Sequence, residues 1–208
     1  SGPTHEPVDP VRVMANRSSG QQGQAVAAAL AAAGADVTLV TGPVSLPPPV
    51  GVHVQRVETA DDMLAAAQAA LPADIAVFAA AVADWKPKDA APEKLKKQAD
   101  RDELELRFVK NPDILATIAQ GNPRPGLVVG FAAETENLVE NARAKRQKKQ
   151  VDWILANDVS GGAVFGAANN AVTLVTGDGA DAVDTWPELS KSQVAARLVA
   201  RIVEALEP

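Results

Sequence analysis

Two kinds of apolar segment alternate along the chain. Short runs rich in β-branched residues are typical of strands, and longer alanine-rich runs are typical of helices. The alternation predicts an α/β fold, with a Rossmann-like and mostly parallel twisted sheet flanked by helices. The strand pattern occurs at 36–41, 52–57, 75–80, 127–131, 152–156 and 171–176. The helix pattern occurs at 22–33, from 59 to about 71, after 111, at 136–149 and from 190 onwards.

Capping signals mark the start of three of these helices. Thr59 has Asp62 three residues later, which predicts a capping box, and Ser190 has a glutamine at the same spacing. The sequence Asn-Pro-Asp at 111–113 predicts a cap at Asn111, a first-turn proline and an acidic group near the positive end of the helix dipole.

Two neighbouring segments interrupt the alternation. Residues 84–102 hold two prolines and five lysines with almost no apolar periodicity. Long loops in compact domains are often functional, so this segment is predicted to be a lysine-rich lid, although a solvated loop would have the same composition. The next segment, 103–109, places Leu104, Leu106 and Phe108 on one face, which predicts an additional strand segment.

The length of 208 residues suits one domain, spanning 1–208. Residues 1–10 contain three prolines, which argues against a central strand there. Because the chain also begins without Met, we expect that an upstream first strand, or a larger region, is missing from it.

Composition excludes several kinds of chemistry. Cysteine and tyrosine are absent, which rules out a disulfide, a thiolate nucleophile and a phenol as proton donor. Only two histidines occur, which argues against a histidine-rich metal site. The net charge of −6 argues against nucleic-acid binding. No apolar run approaches the length of a membrane span, and no signal peptide opens the chain. We expect a cytoplasmic protein.

The most informative local pattern is the turn that precedes the first helix. Ser18, Gly20 and Gly23 form a dinucleotide fingerprint in which serine replaces the first glycine. Free N–H groups at a helix start can hold a phosphate, but a tight strand-to-helix turn explains the glycines equally well. The acidic residue that would bind a ribose about 20 residues later is missing, because the next strand ends in Thr41-Gly42-Pro43.

Polar residues also follow several predicted strands. Asp84 comes after a run of small side chains, and Asn157-Asp158 follows another strand. Open α/β sheets bind ligands at the carboxyl ends of their strands, although a turn aspartate would look the same. Lysines at 94, 96 and 97 and at 145 and 149 could focus an anion, or could simply be solvated charges.

Six motifs occur in order along the chain: DPVR(x)₃NRSSG, AAAVADW, APEKLKKQ, VKNPDIL, VGFAAET and ANDVS. Together they resemble bacterial phosphopantothenoylcysteine synthetase, the phosphopantothenate–cysteine ligase domain of coenzyme A synthesis. The resemblance implies transfer of CMP from CTP to the carboxylate of 4′-phosphopantothenate, followed by attack of L-cysteine. It also implies Mg²⁺ or Mn²⁺, a homodimer with the stretch after Asn157-Asp158 near the contact, and FMN only in a fused upstream domain.

The same resemblance implies roles for individual residues. Asn16 steadies the acyl-cytidylate, Lys94 closes over the triphosphate and Arg12 assists with the substrate. Asp84 contacts CTP, with Mg²⁺ as a possible bridge, and no metal ligand is assigned beyond that. The implied nucleotide-binding residues are Ser18, Gly20, Gly23, Phe78, Ala79, Ala80, Asp84, Pro112, Asp113, Ile114, Leu115, Phe131, Lys145 and Lys149.

Three alternatives stay open at the level of sequence. A nicotinamide-dependent oxidoreductase would fit the fold class, although the missing ribose acid and the missing tyrosine speak against it. A non-catalytic nucleotide-binding or dimerisation module would need the same turns. A ligase of the same family that uses ATP differs only in base selectivity, which the residues do not display.

Overall fold

The computed structural model describes residues 1–96, 103–159 and 169–206. The end of the expected lid, 97–102, and 160–168, part of the stretch expected near a subunit contact, lie outside these ranges. Within them, no helix combines the length and apolarity needed to cross a membrane. The helices are α1 (Gln21–Ala32), α2 (Ala60–Ala69), α3 (Ile114–Ala119), α4 (Leu138–Lys149) and α5 (Lys191–Leu206).

The main sheet follows the predicted α/β pattern. Strands β5 (Ile75–Phe78), β8 (Leu127–Glu134) and β9 (Trp153–Asp158) are parallel, with β5 at one edge. Strands β11 (Val172–Val175) and β12 (Val183–Thr185) extend the sheet antiparallel at the other end, in the order β12-β11-β9-β8-β5. A separate parallel pair, β3 (Val37–Thr41) and β4 (Val52–Arg56), continues the layer beyond β5.

Both faces of the main sheet are buried, as its apolar strands require. On one face, Val129 and Leu155 pack with Leu198 of α5, and α1 contacts α5 on the same side. On the other face, Val128 and Ile154 pack with residues of α3 and α4. Successive strand residues point to opposite faces, so each strand serves both layers.

Three short antiparallel pairs lie outside the main sheet. The N-terminal pair, β1 and β2, contacts the pair formed by β6 and β7, and the third pair joins β10 to β13. Their bounds are β1 (Glu6–Asp9), β2 (Arg12–Met14), β6 (Trp85–Pro87), β7 (Phe108–Lys110), β10 (Asn169–Asn170) and β13 (Leu189–Ser190).

Two local predictions are wrong in detail. The expected strand at 103–109 is reduced to β7, because the expected apolar face is not buried: Leu104 is 57 % and Phe108 is 42 % exposed. Asn111 does not cap α3. The cap is Asp113, whose side chain accepts the Ala116 N–H at 3.1 Å.

The other two capping predictions are confirmed. The side chains of Thr59 and Asp62 satisfy each other's backbone N–H groups at the start of α2. The Ser190 hydroxyl accepts the Gln193 N–H, and the Gln193 side chain accepts the Ser190 N–H. Local side-chain chemistry therefore decides these two helix starts.

An open slot separates β3 from β5. At its carboxyl end, Ser1 donates its N–H to Val40 O at 2.8 Å and accepts the Gly42 N–H at 3.0 Å. Gly2 O accepts the Ala81 N–H at 2.9 Å, on the side of β5. Residues 1–3 thus lie between the two strands in parallel register, despite the proline that argued against a central strand there. That a first strand precedes Ser1, and that 1–208 is one domain, stay predictions.

Candidate active site

A cavity of about 1710 Å³ runs along the open edge of β5 and continues past the carboxyl end of that strand. It gathers most of the residues that the sequence suggests for a site. From the first half of the chain these are Asn16, Gly23, Phe78, Ala79, Ala80 and Asp84. From the second half they are Pro112, Asp113, Ile114, Leu115, Lys145 and Lys149. The suggested residues that do not line it are Arg12, Ser18, Gly20, Lys94 and Phe131.

Asn16 is held at the cavity by the chain that follows β5. Its Nδ2 donates to Val82 O at 2.9 Å. The carbonyl of the next residue, Ala83, accepts Nδ2 of Asn111 at 2.8 Å, and the Ala83 N–H donates to Thr4 Oγ1 at 3.1 Å. Backbone groups that make no sheet hydrogen bonds are thus satisfied by side chains, which keeps the wall of the cavity rigid.

Asn111 is a residue that sequence reasoning interpreted only as a cap. Besides contacting Ala83 through Nδ2, its backbone N–H donates to Asp84 O at 2.9 Å. Its Oδ1 is buried and has no hydrogen-bond partner within the described parts of the chain. An unsatisfied buried oxygen beside a cavity is a candidate contact for a ligand donor. Its place between a strand and a helix-start proline was the only signal in the sequence.

The cationic wall of the cavity comes from α4. Lys149 forms an ion pair with Asp113, at 2.8 Å to Oδ2, whereas Lys145 has no ion-pair partner among the described residues. Burial lowers the pKa of Lys145, and the neighbouring Lys149 adds to this, against the opposing charges of Glu134 and others. A desolvated ammonium without a partner gains most when an anion binds beside it.

Asp113 ties this wall to α3. Partial burial acts to raise the pKa of its carboxyl, but the hydrogen bond from Lys149 and the Ala116 N–H outweigh burial, so the pKa lies below its usual range. Asp113 therefore stays ionised and holds the Lys149 head group at the cavity. Both lysines are half-buried, so neither is a fully solvated charge.

The carboxylates at the cavity do not form a ready metal cage. Among the described residues, no three acidic, histidine or cysteine side chains cluster closely enough to hold an ion. Asp84 lines the cavity and is exposed, and Asp113 is engaged with Lys149. Mg²⁺ in nucleotide sites commonly uses one or two carboxylates plus substrate phosphates, and the exposed carboxylate of Asp84 fits that mode.

The turn before α1 owes its glycines to close packing. Gly20 has a φ of +73°, and a Cβ there would lie 2.7 Å from Val44 Cγ1. A Cβ on Gly23 would lie 2.5 Å from Ser1 Oγ. Ser18 Oγ accepts the Gly20 N–H at 3.2 Å. The tight-turn interpretation therefore accounts for these residues, and the phosphate cradle stays a prediction.

Two of the suggested catalytic residues lie away from the cavity wall. Arg12 forms an ion pair with Asp9, and this hydrogen-bonded guanidinium holds the pKa of Asp9 well below its usual range. Lys94 is exposed. Phe131 is half-buried and packs against the core on the α1 and α5 face of β8.

Comparison with known proteins gives consistent matches. The sequence is 52 % identical over 182 residues to the coenzyme A biosynthesis bifunctional protein CoaBC of Escherichia coli strain K12, covering 86 % of this chain and 45 % of that protein. The Vibrio cholerae protein of the same name is 43 % identical over 208 residues, covering 99 % of this chain and 51 % of that protein. The chain thus spans about half the length of these relatives.

A solved structure agrees with these matches. The crystal structure of the C-terminal domain of coenzyme A biosynthesis bifunctional protein CoaBC superposes with a TM-score of 0.81 at 37 % identity, covering 99 % of this chain and 92 % of that one. The family described as "DNA/pantothenate metabolism flavoprotein C-terminal domain" matches residues 1–206. The chain therefore belongs to the family of DNA/pantothenate metabolism flavoprotein C-terminal domains.

Proposed function

We propose that the chain is a CTP-dependent phosphopantothenate–cysteine ligase. Family membership and the names of its relatives, which place them in coenzyme A biosynthesis, support this proposal. The observation that carries it is the half-buried ammonium of Lys145, which has no ion-pair partner in the described parts of the chain and lies in the same cavity as Asn16 and Asp84. Such a cavity suits a substrate that brings several negative charges, as a nucleoside triphosphate and a phosphorylated acid do together.

The reaction proceeds in two displacements. The carboxylate oxygen of 4′-phosphopantothenate attacks the α-phosphorus of CTP, and the bond from that phosphorus to the bridging oxygen breaks to release pyrophosphate. The amine of L-cysteine then attacks the acyl carbon of the acyl-cytidylate, loses a proton to solvent and displaces CMP. Neither step needs a nucleophile from the protein, so catalysis rests on positioning and on charge stabilisation.

The residues of the cavity divide these tasks. Lys145 and Lys149 bind the triphosphate. The backbone at 78–80 and 112–115 contacts the nucleotide, and Asn16 binds the acyl-cytidylate through Oδ1, since its Nδ2 donates to Val82 O. Asp84 would hold Mg²⁺ or Mn²⁺, which supplies charge neutralisation of the phosphates when bound. FMN would bind only in a fused upstream domain, and no step of the proposed reaction uses it.

The assay that tests this function measures pyrophosphate release from phosphopantothenate with CTP or ATP, with and without cysteine. We expect release with CTP in the absence of cysteine and formation of phosphopantothenoylcysteine when it is added. A thermal shift with NADPH and none with CTP would favour an oxidoreductase instead. Binding of CTP without pyrophosphate release would favour a non-catalytic module.

Lys145→Gln is expected to slow pyrophosphate release by about 10²–10³-fold, since it removes a charge contact in a partly closed site. The melting temperature should stay unchanged or rise, because glutamine removes the free-energy cost of partly burying a charged ammonium. Steady-state kinetics and thermal unfolding measure both. Lys88→Gln is the matched control, since Lys88 is exposed and does not line the cavity. A Lys145→Gln enzyme as fast as the Lys88→Gln enzyme would contradict the assignment.

We also propose a homodimer. Exposed apolar side chains on the two adjoining antiparallel pairs, β1–β2 and β6–β7, support it, namely Val11, Val13, Trp85 and Phe108, at 61 %, 47 %, 47 % and 42 % exposure. Light scattering coupled to size-exclusion chromatography is expected to give twice the mass of 21.5 kDa. A monomer at micromolar concentration would contradict this part of the proposal.

A further inference from the structure

The N-terminal hairpin β1–β2 ends its first strand with a buried carboxylate. Asp9 has a side chain with 0 % exposure. Its Oδ1 accepts the N–H groups of Val11 and Arg12, both at 2.9 Å, which builds the turn of the hairpin. Its Oδ2 accepts Nε of Arg12 at 2.9 Å, and Nη2 of the same guanidinium contacts it too. A buried charge is thereby paired within four residues of sequence.

The same pair holds a distant backbone segment. Leu95 donates its N–H to Asp9 Oδ2 at 3.1 Å, and Leu95 O accepts Nη2 of Arg12 at 2.7 Å. Four residues earlier, the Ala91 N–H donates to Val8 O at 3.0 Å. Both polar backbone groups of Leu95 are thus bound by charged partners, and such charge-assisted hydrogen bonds are about twice as strong as neutral ones.

Lys94 lies between these two attachment points. Its backbone is fixed on the hairpin while its side chain is exposed and has no ion-pair partner within the described ranges. The hairpin continues directly into Asn16, which reaches the cavity wall at Val82. The hairpin is therefore connected to both residues. Asn16 follows it directly in sequence, and the segment that contains Lys94 is hydrogen-bonded to it.

We propose that Asp9 and Arg12 form a positioning latch that sets the place of Lys94 relative to Asn16. The inference rests on the proposed function, in which Lys94 acts on the triphosphate. It gives Asp9 a positioning role, which suits a buried carboxylate that accepts several hydrogen bonds and which the sequence alone did not suggest. It also changes the role expected for Arg12, from contacting the substrate to holding the backbone of Leu95.

A double-mutant cycle distinguishes a latch from general stabilisation. Asp9→Asn replaces the acceptor facing Leu95 and keeps the shape of the side chain. We expect it to lower the kcat of pyrophosphate release about 10-fold to 100-fold through misplacement of Lys94, with KM for CTP changed less than threefold. Lys94→Gln alone is expected to cost about 10²-fold, but only about 1- to 10-fold in the Asp9→Asn background, so that the double variant is about as slow as Lys94→Gln alone. Losses that multiply in the double variant would overturn the latch.

Arg12→Lys tests the other half of the pair, and serves as well if Asp9→Asn fails to fold. Lysine keeps the charge but lacks the two-pronged geometry that joins Asp9 to Leu95. The latch predicts a kcat defect like that of Asp9→Asn. A rise of more than 10-fold in KM for phosphopantothenate, with normal kcat in either variant, would instead show direct substrate contact and would overturn the inference.

Amide hydrogen exchange at Leu95 provides a readout independent of turnover. Asp9→Asn is expected to speed exchange of this amide at least 10-fold, while Asp89→Asn, which alters an exposed carboxylate in the same region, leaves it unchanged. Unchanged protection in Asp9→Asn would overturn the latch. If the wild-type chain releases no pyrophosphate while this protection is still lost, the proposed function fails and the hydrogen-bonded latch stands.

Discussion

Asn16→Asp is expected to reduce formation of phosphopantothenoylcysteine by at least about 10³-fold. The Nδ2 group that donates to Val82 O becomes a carboxylate oxygen, so a hydrogen bond at 2.9 Å is replaced by repulsion between two acceptors. The new negative charge also lies in the cavity that would receive phosphates and an anionic intermediate. Chromatography with mass detection of product and of acyl-cytidylate measures the loss.

A matched control separates charge in the cavity from charge in general. Asn137→Asp makes the same chemical change at the exposed start of α4, outside the cavity wall. Asn137 has a φ of 49° and makes no side-chain cap hydrogen bond, and aspartate adopts this left-handed conformation about as readily as asparagine does, so this variant should keep activity within twofold. Wild-type-like synthesis by Asn16→Asp would contradict the role of Asn16, and an equal loss in both variants would point to a defect in folding.

A strand added before Ser1 is expected to stabilise the chain by about 2–5 kcal/mol, as the burial of several apolar side chains exceeds the cost of ordering them. The slot between β3 and β5 is lined by apolar residues of both strands, including Leu39 and Val77. At the carboxyl end of this slot, Ser1 already makes hydrogen bonds with Val40 and Gly42 of the kind that parallel strands form. Five β-branched residues placed directly before Ser1 would extend this pairing.

In a polypeptide prepared to begin at Ser1, the buried amine of that residue makes stability depend on pH. Burial lowers the pKa of this amine from 8.0 to about 5. Between these values the unfolded state binds a proton that the folded state does not, so the free energy of unfolding rises with pH. Three pKa units correspond to about 4 kcal/mol, a cost that applies in full below about pH 5 and disappears above about pH 8.

Urea unfolding at pH 5.5 and pH 8 tests the strand and the amine together. The apolar extension converts the amine into an amide, so the contribution of this group to the pH dependence should vanish as stability increases. An extension of five glycine and serine residues removes the charge but brings no apolar side chains. If the apolar extension gives no more stability than the glycine–serine extension at pH 8, the slot does not accept a strand.

Much of the secondary structure follows from local rules that the chain obeys. The apolar runs that become β3 and β11 carry enough β-branched residues to predict strands, and the Thr59 and Asp62 side chains form the capping box of α2 from within one turn of sequence. The predicted cap of α3 was two residues too early. The Asn111 side chain instead donates to the carbonyl of Ala83, a partner 28 residues away that local sequence does not reveal.

The roles of site residues depend on contacts distant in sequence. Arg12 was expected at the substrate because of its motif, yet its guanidinium is bound to Asp9 and to the carbonyl of Leu95, 83 residues away. The phosphate cradle suggested by Gly20 and Gly23 stays a prediction, but the structure adds a second reason for these glycines, because Val44 and Ser1 occupy the space that side chains there would need. No periodicity or spacing contains these partners.

By itself, the sequence determined the class of fold, the order of its elements and the residue types available for chemistry, because propensity and apolar periodicity act over a few residues. It also determined that no cysteine thiolate or tyrosine phenol of this chain takes part in the proposed reaction, since the chain has neither residue. Only the tertiary structure decided that Lys145 lacks an ion-pair partner among the described residues while Lys149 has one. Burial, ion pairing and hydrogen bonding are properties of neighbours in space, and folding alone chooses those neighbours.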